Sequence, residues 1–392
     1  MRISCICNLT SLPYLVKKNI FSSELDLKPS DFNLKIKWMS PPEFSTKDQF
    51  HIQWHIANLC NLRCRHCYQE DFSREKDLDW AGLKRVADNL LITIKEWNQT
   101  ACIHLTGGEP LLKPELFPLL RYLDQNPLVD ELGVITNGLL FDQELLKRLT
   151  AFPKLKKIKI SLDGADAETN DSIRQEGTFK KVVQNIPLVR KETSFEIILM
   201  FTVMRRNFRN LPSFFKLSQE LGVHGFIIER FVPWGRGRER MDEVLNKEEW
   251  REMVQMLLDL FSIGEEDSFL PYQAFQVSFN GEEPELLGAP CVIGKDGLCV
   301  MPDGDVYPCR RFPVPVGNLF KDSLKTVWEE SELLEQLKNK KNLKGKCGRC
   351  DIKDCRGCRS LALALTGDPL AEDPCCGDPK IKIDFSGRNR ID

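Results

Sequence analysis

Cys60-Asn61-Leu62-Arg63-Cys64-Arg65-His66-Cys67 sets three cysteines in a C-x3-C-x2-C spacing, just downstream of the apolar run Ile52-Gln53-Trp54-His55-Ile56. Three thiolates on one tight loop can hold three corners of a cubic iron–sulfur cluster and leave the fourth iron open to a small molecule. A structural zinc site closes with four protein ligands, and no fourth cysteine follows nearby. The stretch therefore predicts a reactive, incompletely ligated cluster on the loop that leaves a strand.

Outward from that loop, short β-rich runs alternate with longer helical patterns. Candidate strands fall at 52–57, 101–105, 132–136, 157–162, 196–203 and 224–231. Helical patterns lie between them near 79–97, 114–125, 142–150, 178–191 and 210–221. In the first, Leu83, Val86, Leu90 and Ile94 recur at the spacing of an amphipathic cover over a sheet. Six strands alternating with helices imply parallel βαβ units with right-handed crossovers. Six are too few for an eight-stranded barrel. The expected fold is α/β, a partial (β/α)6 TIM-like barrel with its site at the strand C-terminal ends. The expected domains are an N-terminal extension (1–48), the barrel core (49–240), a connecting helical region (241–284) and a small cysteine-rich domain (285–392).

The chain has 392 residues, 42% hydrophobic and 29% charged, with a net charge of −2. That balance gives no overall pull toward nucleic acid or membrane, and no uncharged apolar run reaches the length of a membrane span. Fifteen cysteines are heavy usage, clustered outside the first fifty residues except for Cys5 and Cys7. The N-terminus lacks the apolar region and cleavage site of a signal peptide. The cysteines therefore read as metal-bound thiolates in a reducing cytoplasm.

Thr106-Gly107-Gly108-Glu109-Pro110 directly follows the second predicted strand, where glycines let the backbone approach a ligand closely. Thr136-Asn137-Gly138 closes the third strand, and Ile160-Ser161-Leu162-Asp163-Gly164 the fourth, with Arg174 downstream. Toward the C-terminus, Cys291 is followed by Gly304 and Cys309, then by Cys347-x2-Cys350-x4-Cys355-x2-Cys358 and the pair Cys375-Cys376. Together these motifs make the chain resemble a radical S-adenosylmethionine (SAM) enzyme with a C-terminal SPASM domain.

The resemblance implies that Cys60, Cys64 and Cys67 hold a [4Fe–4S] cluster whose open iron is chelated by SAM. His66 takes the place of the aromatic residue that usually precedes the third cysteine, with Tyr68 just beyond it. Gly107, Gly108 and Glu109 would meet the SAM amino group. Asn137, Ser161 and Asp163 would line the same cavity, and Arg174 would pair the SAM carboxylate, a task suited to a guanidinium. Two auxiliary [4Fe–4S] clusters are implied. Cys291, Cys309 and Cys358, with Cys299 as a possible fourth ligand, would bind the first. Cys347, Cys350, Cys355 and either Cys375 or Cys376 would bind the second. The spacing from 347 to 358 is slightly shorter than the family's. A zinc ribbon also uses paired C-x2-C units, but only four residues separate the two pairs here.

By the same resemblance, one-electron reduction of the first cluster by a donor such as flavodoxin or ferredoxin cleaves SAM to methionine and a 5′-deoxyadenosyl radical, which abstracts hydrogen from the substrate. The expected substrate is a ribosomal precursor peptide or another carboxylate-bearing molecule. The alternative is a tetrapyrrole side chain, suggested by the Val232-Pro233-Trp234-Gly235-Arg236-Gly237 run. In the stretch from Arg230 to Arg240, arginines with a tryptophan would stand at the mouth of the site. A sulfatase-maturing activity fits less well, because Arg310 follows Cys309 where those enzymes carry an acid. A non-catalytic iron–sulfur electron carrier would have no use for the Gly107-Gly108 loop.

Overall fold

The computed structural model describes residues 49–263, 274–289, 291–350 and 355–376. The expected N-terminal extension lies outside them. Six strands follow one another in spatial order and pair in parallel: β1 (Gln49–Ala57), β2 (Thr100–Gly107), β3 (Val129–Thr136), β4 (Leu155–Ser161), β5 (Glu196–Val203) and β6 (Gly225–Arg230). Helices α1 (Trp80–Glu96), α2 (Leu116–Asp124), α3 (Gln143–Leu149), α4 (Ala167–Ile173), α5 (Thr178–Glu192) and α6 (Leu211–Glu220) connect them. This is the expected open barrel.

The connecting helices other than α4 turn an apolar stripe to the sheet. On α1, Leu83, Val86, Leu90 and Ile94 are all buried, and Asp79 caps the first turn by accepting from Gly82 N at 2.9 Å. Each such buried side chain contributes about 1.5–3 kcal/mol. α4 was not foreseen. Its sequence, AETNDSI, is mostly polar, so it carries no stripe to read.

The sheet continues past the barrel at both ends. After α7 (Lys247–Leu260), the hairpin β7 (Ala274–Ser278) and β8 (Glu285–Ala289) adds antiparallel to β6. The region expected to be a helical connector thus also contains a strand. At the other edge β9 (Gly297–Val300) pairs in parallel with β1, and β10 (Asp305–Tyr307) and β11 (Gly317–Asn318) follow antiparallel. Residues from the cysteine-rich region therefore complete the sheet of the barrel. The described residues of that region also carry the short helices α8 (Leu324–Glu330), α9 (Glu332–Lys338), α10 (Gly345–Arg349) and α11 (Arg359–Thr366).

Candidate active site

β1 delivers the chain into the three-cysteine loop, and glycines from β2 brace the start of that loop. A Cβ on Gly107 (φ 143°) would lie 2.3 Å from the Ala57 carbonyl oxygen, and one on Gly108 would lie 2.3 Å from that of Leu59. The main chain uses this proximity: Gly108 N donates to Ala57 O at 2.7 Å and Glu109 N to Leu59 O at 2.8 Å. The far end of the loop is braced by the turn after β6. A Cβ on Gly235 (φ 57°) would lie 2.4 Å from the Tyr68 carbonyl oxygen, while Arg236 N donates to Gln69 O (3.2 Å) and Gly237 N to Cys67 O (3.0 Å).

Between these braces Cys60, Cys64 and Cys67 line a cleft at the C-terminal ends of the strands, with Gly107, Gly108, Asn137, Ser161 and Arg174 on its walls. Burial pushes all three thiols up, Cys64 to about 12, and each neighbouring thiolate charge adds to the penalty on Cys64. Three thiolates here need cationic partners, which is the chemistry that bound iron supplies. His66 Nδ1 is also buried beside them without a hydrogen-bond partner. The donor set fits an iron–sulfur cluster.

His66 and Tyr68 both line the cleft. The two acids assigned to the cofactor do not. Glu109 is fully buried and accepts from Thr136 Oγ1 (2.8 Å), Asn137 N (2.8 Å) and Leu111 N (3.1 Å). It ties the end of β3 to the turn after β2, one layer behind the glycines, and burial raises its carboxyl to about 7. Asp163, also fully buried, accepts from Thr202 N at 2.7 Å. Its other oxygen lies 2.7 Å from Arg174 Nε and 3.4 Å from His66 Nε2. The Arg174 contact is close but not aligned as a hydrogen bond, so charge rather than direction holds it. Asp163 thus positions two cleft residues, Arg174 and His66. Sequence pattern does not report which way a carboxylate points.

The arginines 236, 238 and 240, expected at the mouth, do not line the cleft. Arg238 pairs with Glu70 at 3.1 Å and lies over Trp234, and the turn serves the cysteine loop through its backbone. Of the expected stretch, Arg230 does border the cleft, and the charged wall is made by Glu229, Arg230, Arg310 and Arg311. Arg310 pairs with Glu229 and donates to Gln53 Oε1 at 3.1 Å, and Arg311 donates to the Arg230 carbonyl. The sequence signal for this wall is Arg310, which follows Cys309 where sulfatase-maturing enzymes carry an acid.

Below the cleft the barrel lumen stays polar. Cys102 Sγ lies 3.8 Å from His104 Nε2 and 3.5 Å from Glu131 Oε1. Lys157 reaches Glu131 Oε2 at 3.1 Å, and Lys159 reaches His104 Nδ1 at 3.3 Å. These charges neutralise one another where a closed barrel would carry branched apolar residues.

The C-terminal cysteines fall into two neighbourhoods. Cys291 feels the charges of Cys309 and Cys358, and Cys299 on β9 feels that of Cys309. Cys376 feels Cys347 and Cys355. Cys375 packs beside Cys358, whose charge it feels, and its thiol donates to Leu245 O at 2.9 Å inside an apolar cluster with Val232 and Leu361.

The superfamily profile of radical SAM proteins matches residues 54–214, and that of the SPASM iron–sulfur cluster-binding domain matches residues 291–351. The AdoMet-dependent heme synthase of Methanosarcina barkeri is 31% identical over 348 residues, 83% of this chain and 95% of that protein. The chain belongs to the radical SAM superfamily. The mycofactocin maturase MftC of Mycobacterium tuberculosis is 30% identical over 298 residues, 73% of this chain and 72% of that protein. The fold is shared with anSMEcpe bound to AdoMet and the Cp18Cys peptide, at a TM-score of 0.64 and 21% identity over 84% of this chain and 94% of that one. It is also shared with Streptococcus suis SuiB bound to its precursor peptide SuiA, at a TM-score of 0.60 and 15% identity over 83% and 75%. The protein is a radical SAM enzyme with a SPASM domain, and its cofactors are a [4Fe–4S] cluster, SAM and auxiliary iron–sulfur clusters. Among the described residues no helix is long and apolar enough to cross a membrane.

Proposed function

We propose that this radical SAM oxidoreductase modifies a ribosomal precursor peptide in the cleft above Cys60, Cys64 and Cys67. The observation that carries the reading is that one cleft joins the three thiols, Gly107, Gly108, Ser161 and Arg174 to Arg310, the residue after Cys309. A substrate in that cleft touches SAM-binding residues on one side and the SPASM domain on the other. When bound, the reduced cluster supplies the electron that cleaves SAM to the 5′-deoxyadenosyl radical. Asn137, Ser161 and Arg174 would hold SAM, Arg174 through its carboxylate, with Asp163 fixing the guanidinium. Glu229 and Arg310 would face the substrate, and Gln53 would hold Arg310 in place.

Cys291, Cys309 and Cys358, with Cys299 beside them, are assigned to the first auxiliary cluster. Cys347, Cys350, Cys355 and Cys376 are assigned to the second, leaving Cys375 as a core residue. The electron donor is a flavodoxin or ferredoxin, and the compartment a reducing cytoplasm. Peptide modification is supported by the maturase and the peptide-bound enzyme among the similar proteins. A tetrapyrrole substrate is the second reading, favoured by the match along 95% of a heme synthase.

Anaerobic reconstitution with iron counting, followed by SAM cleavage in the presence of peptides encoded nearby or of an iron tetrapyrrole, separates these readings. Product formed with a peptide and not with the tetrapyrrole supports the first. SAM cleavage uncoupled from every peptide, with turnover of the tetrapyrrole, replaces it by the second.

A further inference from the structure

The end of β6 grips the C-terminal region through consecutive residues on opposite faces. Glu229 points into the barrel toward Arg310, and Arg230 points outward, stacked 3.6 Å over Trp250 of α7. There Arg230 Nη1 meets both oxygens of Asp373, at 3.0 and 2.8 Å, and both side chains are buried (4% and 0% exposed). Arg230 Nε and Nη2 have no hydrogen-bond partner, so its charge is directed at this one carboxylate.

Asp373 is in turn a junction between the two cysteine neighbourhoods. Its carboxylate accepts from Cys358 N at 2.8 Å and from Cys375 N, beside Cys376, at 3.0 Å. Its own N–H donates to Cys347 Sγ at 3.3 Å. One buried anion therefore touches a ligand segment assigned to each auxiliary cluster, and one buried cation from the barrel balances it. A charge this close, in a water-excluded site, acts strongly on the energy of adding an electron nearby.

We infer that Asp373 is a positioning residue for both auxiliary clusters, and that the Arg230–Asp373 pair sets the potentials at which they are reduced. The inference rests on the ligand assignment proposed above. Loss of the Asp373 charge makes electron uptake easier, and loss of the Arg230 charge makes it harder.

The test is an anaerobic redox titration of the full-length, reconstituted enzyme, followed by electron paramagnetic resonance, on the signals that added SAM does not alter. Asp373→Asn keeps the shape and one acceptor oxygen while removing the charge. Arg230→Met removes the balancing cation. The expected result is a positive shift of the auxiliary potentials in D373N, a negative shift in R230M, and potentials near the parent enzyme in the double variant. Loss of iron in D373N, with R230M still loaded and shifted negative, also supports the inference. Fully loaded single variants with unchanged potentials, or with shifts of the same sign, overturn it. Iron counting keeps the two readings apart. A parent enzyme holding about four irons rather than about twelve removes the ligand assignment itself, whatever the potentials show.

Discussion

The two cysteine-bearing regions are built on different physical terms. The loop from Cys60 to Cys67 is braced by backbone from a sheet that needs no metal: Gly107 and Gly108 on one side, Gly235 and Gly237 on the other. The C-terminal region is tied by buried charge instead. Arg359, 1% exposed, donates to Pro369 O (2.9 Å), Ala371 O (2.6 Å) and Cys347 Sγ (3.5 Å). Arg356 donates to Cys291 O at 3.0 Å, and Asp373 gathers Arg230 and two cysteine N–H groups. A segment with so little apolar core obtains much of its folding free energy from bound metal. The first region is a platform that receives a cluster; the second is shaped by its clusters.

Stripping iron with a chelator and an oxidant should break this contrast open. Hydrogen exchange should show the segment from 340 to 376 losing most of its protection while β1 to β6 keep theirs. Equal loss in both regions would erase the distinction. Next in size, Arg359→Met leaves two part-buried carbonyls without their donor and should cost roughly 1–3 kcal/mol. It should be read as early release of auxiliary iron on heating, with barrel circular dichroism intact. Gly107→Ala forces a Cβ to 2.3 Å from Ala57 O at a φ of 143°. A loop displaced by about 1 Å should lower SAM cleavage roughly a hundredfold, with auxiliary iron retained.

Arg174→Lys keeps the charge and loses the fork. SAM affinity should weaken roughly tenfold, the equivalent of about 1.4 kcal/mol, as titration calorimetry would show. A separate effect concerns pH. Burial, with Arg310 adding to it, holds His55 down to about 3 in the fold, below its ordinary 6.5. As pH falls below 6.5 the unfolded chain takes up this proton first, so stability is lost by about 1.4 kcal/mol per pH unit. His55→Phe should flatten the acid limb of the stability curve between pH 6 and 4 by one proton, measured by melting across that range.

Much of this was legible in the sequence because the relevant signals are local. β1 to β6 announce themselves as β-rich runs, and α1 by its leucine spacing. The three-cysteine loop and Gly107-Gly108 are contiguous motifs whose chemistry follows from residue type. What stayed hidden depends on direction or on distance along the chain. Glu109 and Asp163 sit in the expected motifs but turn behind the cleft. Glu229 meets Arg310 across 81 residues, and neither residue lies in a recognisable pattern with the other. The β7–β8 hairpin and β9 are too short to stand out beside six longer strands.

The pairing of β9 with β1 has a consequence for how the chain is made. β1, which carries the cysteine loop, leaves the ribosome early, yet among the described residues one of its edges is closed by Gly297–Val300. Until about three quarters of the protein has been synthesised, that edge presents unpaired backbone next to three reactive thiols. Such a long-range pairing is slow to form. Assembly of the first cluster and completion of the sheet therefore compete in time, and production of intact enzyme should improve when translation is slowed and iron–sulfur assembly is abundant.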